Sequence, residues 1–69
     1  MQQFIIGKNI RRWRSFKGKK QECLAKEIGI SRIMLSRYEN GRSKISMEHL
    51  ETIAKTLGVN IQELIDSEI

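Results

Sequence analysis

Residues 21–41 read QECLAKEIGISRIMLSRYENG, and the order of residue types in this stretch decides the architecture. Leu24, Ala25 and Ile28 share one side of a helix, and Gly29 follows, free to take the positive φ of a tight turn. Ile30-Ser31 opens a second helix, where the Ser31 hydroxyl can accept a hydrogen bond from the first turn. Ala25 is small enough for that second helix to pass close above it, and Leu35 fills the angle between the two. The pattern predicts two short helices crossing steeply.

Outward from this segment, Gly18, Gly29, Gly41 and Gly58 each end a run of helical apolar periodicity, so four stops separate five helices. The expected ranges are 4–17, 20–28, 31–40, 46–57 and 60–67. Ser31 and Ser46 are expected caps, and Asn60-Ile61-Gln62-Glu63 has the form of a capping box. Each helix carries one apolar stripe: Ile6, Ile10, Trp13 and Phe16; Leu24, Ala25 and Ile28; Met34, Leu35 and Tyr38; Leu50, Ile53, Ala54 and Leu57; Ile61, Leu64 and Ile65. No stretch alternates apolar and polar residues, and Asn40-Gly41 has no strands on either side to join. The expected fold is all-α, a compact five-helix domain, and 69 residues suit a single unit over 1–69 with its motif at about 21–40. A chain this small leaves little room for an enclosed substrate cavity.

Thirteen Lys and Arg against eight Asp and Glu give a net charge of +5, distributed unevenly. Residues 1–20 carry +7 and residues 46–69 carry −4, which favours one basic face and an anionic partner. An enzyme is not expected. His49 has no partner constellation, no histidine stands at helical spacing from Cys23, and no nucleotide loop or metal-ligand spacing occurs; no cofactor or metal is expected. A lone cysteine without a visible signal peptide predicts the cytoplasm. No apolar run exceeds three residues, as at Phe4-Ile5-Ile6, far short of the roughly 18–20 that span a bilayer. Taken alone, residues 5–20 look like a cationic amphipathic membrane-surface binder, but burial of Ile6, Ile10 and Trp13 would leave no face for lipid.

The outward side of the helix at 31–40 carries the functional expectation. With Arg32 at 0°, Ser36 falls at about 40°, Asn40 at about 80°, Ile33 at about 100° and Arg37 at about 140°, while Met34, Leu35 and Tyr38 fall between about 200° and 300°. Two guanidiniums, a hydroxyl, an amide and an isoleucine suit a major groove: Arg forks to guanine O6 and N7, and Ile meets a thymine methyl.

At Ile6-Gly7, Ile10, Arg14, Gln21…Ala25…Gly29, Ser31-Arg32, Leu35-Ser36-Arg37-Tyr38-Glu39-Asn40-Gly41 and Leu50…Ile53-Ala54…Leu57-Gly58-Val59, the chain resembles the helix-turn-helix domain of phage repressor and Cro (XRE) type. The resemblance runs from about Ile6 to Leu64 and implies the lambda-repressor-like fold and sequence-specific binding of double-stranded DNA, usually by a prokaryotic or phage transcriptional regulator. Arg32, Ile33, Ser36 and Arg37 are the expected base readers. Expected phosphate contacts are Gln21, at a position where the family touches phosphate, with Lys19 and Lys20 beside it, and Asn40, Arg42, Ser43 and Lys44 at the helix exit. The resemblance also implies an ion pair between Arg14 and Glu39. One departure is Lys20, which stands where the family has a capping Ser, Thr or Asn, a loss worth roughly 0.5–2 kcal/mol.

The family's targets are two-fold, with recognition helices about 34 Å apart, so a homodimer is expected, at least on DNA. Its expected contact is the acidic C-terminal region, through Ile61, Leu64, Ile65 and Ile69. An antitoxin that binds DNA and also a protein toxin is the alternative.

Overall fold

The computed structural model describes residues 2–66, which hold five helices and no strand. They are α1 (Gln3–Phe16), α2 (Gln21–Ile28), α3 (Arg32–Glu39), α4 (Met47–Leu57) and α5 (Ile61–Ile65). The expected 20–28, 31–40 and 46–57 run a residue or two long because they include the caps, the first helix begins and ends one residue before the expected 4–17, and residue 67 of the expected 60–67 lies outside the described residues. Ser31 Oγ accepts the Met34 N–H at 3.0 Å, and Ser46 Oγ accepts the His49 N–H at 3.1 Å. At the start of α5, Glu63 Oε1 accepts the Asn60 N–H at 2.8 Å. Gly29 closes α2 with φ 79°, where a Cβ would be strained, and turns the chain into α3.

The apolar stripes converge on one core, in which Ile6, Ile10, Leu24, Leu35, Leu50, Ile53 and Leu64 are wholly buried. α1 lies against both α3 and α5, and α2 packs on α3 and α4. Ile6 and Ile10 of α1 are spent in this core, while Phe4 and Phe16 at its two ends remain exposed. Among the described residues no helix is long and apolar enough to cross a membrane.

Two expectations about the core and one about the subunit contact are corrected. Phe16 is 78% exposed: it lies at the margin of the α1 stripe and in its last turn, its ring perpendicular to that of Trp13 at 5.7 Å between ring centres. Met34, at the edge of the α3 stripe, is exposed as well, and burial falls to Leu35 and Tyr38. Leu64, expected at a subunit contact, is wholly buried, so the same surface retains only the half-buried Ile61 and Ile65; Ile69 lies outside the described residues.

Long-range polar ties complete the packing. Asn9 Nδ2 donates to the carbonyls of Leu64 at 2.8 Å and Asp66 at 2.7 Å, fixing the end of α5 on α1. Ile45, in the loop before α4, is buried, and its N–H donates to Gln3 Oε1 at 2.9 Å. Tyr38 Oη lies 2.7 Å from His49 Nδ1, joining α3 to α4 and giving the one histidine a structural partner.

Candidate nucleic-acid interface

α3 presents Arg32, Ile33 and Arg37 fully outward and Ser36 half-buried, with Asn40 exposed at its end. Ile33 is 69% exposed, an apolar side chain standing between two guanidiniums. Asn40 folds back over the last turn, its Nδ2 donating to the Ser36 carbonyl at 2.8 Å. The outward side carries no acid, since the only carboxylate of α3, Glu39, is buried. That arrangement favours an anion by leaving the guanidiniums uncompensated.

The angle of α3 is set from beneath. Arg14 Nε donates to Glu39 Oε2 at 2.6 Å and Nη2 to Oε1 at 3.2 Å, a two-pronged pair between α1 and α3 with both side chains largely buried. Arg14 Nη1 donates to the Lys19 carbonyl at 2.9 Å, so one guanidinium ties α1, α3 and the chain leading into α2. Gly7 completes the seat. A Cβ there would overlap the Tyr38 carbonyl oxygen and come within 2.8 Å of the Glu39 backbone, so α1 and α3 approach as closely as they do only because residue 7 has no side chain. Sequence reading named Gly7 only within the family resemblance and gave it no role, although a glycine inside a helical apolar pattern is a signal of close backbone approach, and it missed Gln3.

The residues expected on phosphates are placed differently from one another. Gln21 is half-buried, with Nε2 donating to Glu39 Oε1 at 3.0 Å and Oε1 accepting from Arg32 Nη1 at 3.4 Å. Its side chain therefore links the buried ion pair to the first residue of α3. Lys19 Nζ pairs with Glu27 at 3.0 Å. Lys20 is exposed and supplies no side-chain cap, which leaves the first N–H groups of α2 open to an acceptor from outside. In the exit loop Arg42 and Lys44 are exposed, whereas the half-buried Ser43 accepts from Arg37 Nε at 2.8 Å.

The helix-turn-helix family profile matches residues 10–64. Over 64 residues the chain is 38% identical to the antitoxin PezA of Streptococcus pneumoniae, covering 93% of this chain and 40% of PezA. It is 35% identical over 63 residues to the control protein C.BamHI of Bacillus amyloliquefaciens, covering 90% of this chain and 78% of that protein. Its fold superposes on the P22 c2 repressor, crystallised in complex with a synthetic operator, with a TM-score of 0.84 at 25% identity, over 93% of this chain and 97% of the repressor. With a left-handed glycine turn between α2 and α3 and the cationic side of α3 presented outward, the chain belongs to the helix-turn-helix family, among its phage-repressor-like, XRE-type domains.

Proposed function

We propose that this chain reads double-stranded DNA by sequence through the outward side of α3, and that it serves a prokaryotic or phage transcriptional regulator, a repressor rather than an activator. The observation that carries this reading is a helix side with Arg32, Ile33, Ser36 and Arg37 outward and no acid among them, held from below by a buried ion pair. In the major groove the two arginines take guanine edges, Ile33 a thymine methyl, and Ser36 whichever edge faces its hydroxyl. Lys20, Arg42 and Lys44, with the open N-terminus of α2, hold phosphates on either flank, joined by Lys19 once Glu27 releases it and by Gln21 and Asn40 through their exposed edges. A two-fold operator is the expected target and a homodimer the expected form on DNA, joined by the C-terminal region where Ile61 and Ile65 keep partly exposed apolar surface. Binding DNA without catalysis, it would act in the cytoplasm.

Selection of bound duplexes from a random pool tests this reading, followed by titration of two variants. Arg37→Ala is expected to relax the preference at one base pair per half-site and to cost about 1–3 kcal/mol on the selected site. Lys44→Ala is expected to weaken all duplexes alike and to lower the slope of log K against log salt by roughly one. An Arg37→Ala protein that selects the wild-type sequence undiminished would remove the base-reading assignment.

A second reading rests on the likeness to a protein named an antitoxin, of which this chain spans 40%. In that reading the protein also binds a protein toxin, and a toxin co-purifying with it from the native host would establish the pairing.

A further inference from the structure

The guanidinium of Arg37 is gripped along one edge by the loop that follows its own helix. Nε donates to Ser43 Oγ at 2.8 Å, and Nη2 donates to the Arg42 carbonyl at 3.4 Å. Both donors belong to the lateral edge of the planar group, so the hydrogens of its end, on Nη1 and Nη2, are left free. That terminal pair is a fork suited to the O6 and N7 of a guanine.

The loop that does the holding is itself anchored on both sides of Ser43. The Arg42 N–H donates to the Arg37 carbonyl at 2.8 Å, and the Ile45 N–H donates to Gln3 Oε1 at 2.9 Å. The exposed guanidinium therefore rests on a platform tied to the N-terminus of α1. A long side chain held in this way surrenders less freedom when it meets a base than one that swings in solvent.

We propose that Ser43 is a positioning residue for base recognition: its hydroxyl holds the lateral edge of Arg37 and so aims the terminal fork at one base pair. The inference rests on the DNA-reading function proposed above and deepens it, moving Ser43 from affinity to specificity. Since the Ser43 oxygen accepts from Arg37, its own hydrogen remains to be donated elsewhere. A contact through that hydrogen to a phosphate would not change which base is chosen. The two roles separate by experiment.

The test combines duplex selection with competition binding and salt titration, for the wild-type chain, Ser43→Ala, Ser43→Thr, Arg37→Lys and the double variant Ser43→Ala/Arg37→Lys. Ser43→Ala is expected to lower the preference at the Arg37 base pair about five- to tenfold, the lower part of what a two-pronged arginine contact supplies, with the salt slope kept and other positions selected as before. Ser43→Thr retains the oxygen and is expected to restore the preference. Lysine has no Nε–H lateral edge, so in the Arg37→Lys background the serine change should add nothing. An equal loss on every duplex with a shallower salt slope would make Ser43 a phosphate contact and overturn the inference, as would a threonine variant that behaves like alanine. A wild-type chain that selects no sequence would sink the DNA-reading proposal together with this one, whereas a selective wild type with an indifferent Ser43→Ala variant sinks this one alone.

Discussion

Glu39→Ala is expected to destabilise the protein by about 3–5 kcal/mol, because it strands the largely buried Arg14 guanidinium without its counter-ion. A chain of this length commands a folding stability of roughly 3–10 kcal/mol, so the variant should melt far below the wild type or fail to fold at room temperature. The size follows from burial: the side chains of Arg14 and Glu39 are 13% and 3% exposed, so water can screen little of the pair and can solvate little of the charge left behind. An exposed pair would cost no more than about 1 kcal/mol. The same carboxylate also accepts from Gln21 Nε2, whose Oε1 accepts from Arg32, so the change should loosen the first reader of α3 as well. Urea unfolding measures the loss. A midpoint shift worth under about 1 kcal/mol would mean that Arg14 finds water where the structure buries it. Replacing both partners by apolar residues of similar volume should cost less than either single change, because no charge is then stranded.

Gly7→Ala is expected to cost about 3 kcal/mol, the upper end for overpacking, although alanine favours helix over glycine by about 1 kcal/mol. The added Cβ would overlap the Tyr38 carbonyl oxygen and stand 2.8 Å from the Glu39 carbonyl carbon. What it meets is the backbone at the end of α3, with no flexible side-chain tip to swing aside, so α1 and α3 must part. Parting them stretches the Arg14–Glu39 pair and exposes the buried contact around Ile6 and Ile10. Thermal or urea unfolding tests it, and a variant as stable as the wild type would show that the two helices can slide apart freely. Since the seat of α3 moves with them, DNA affinity should fall even at temperatures where the variant remains folded.

The outward side of α3 is legible in the sequence because helical periodicity divides Arg32, Ile33, Ser36 and Arg37 from Leu35 and Tyr38 within eight residues of chain. Which of those outward groups are already engaged was not legible. Nothing in the spacing says that Gln21 spends its amide on Glu39 and Arg32, that Lys19 turns to Glu27, or that Arg37 leans on Ser43. Each depends on the direction in which a long, flexible side chain settles after the backbone is placed, and residue type does not encode that direction.

The amino-acid order alone determined the five helices, their caps at Ser31 and Ser46, the turn at Gly29 and the side of each helix that goes inward. Those features depend on neighbours a few residues away: hydrogen bonds within a turn, the conformational freedom of glycine, and a period of about 3.6. Tertiary packing decided that Phe16 and Met34 stay exposed, that Ile45 enters the core, and that Asn9 and Gln3 bind backbone atoms 55 and 57, and 42, positions away. It also decided that residue 7 must lack a side chain. Such choices turn on which distant segment covers which surface, a question of volume and of unpaired polar groups across the whole molecule that no local pattern carries.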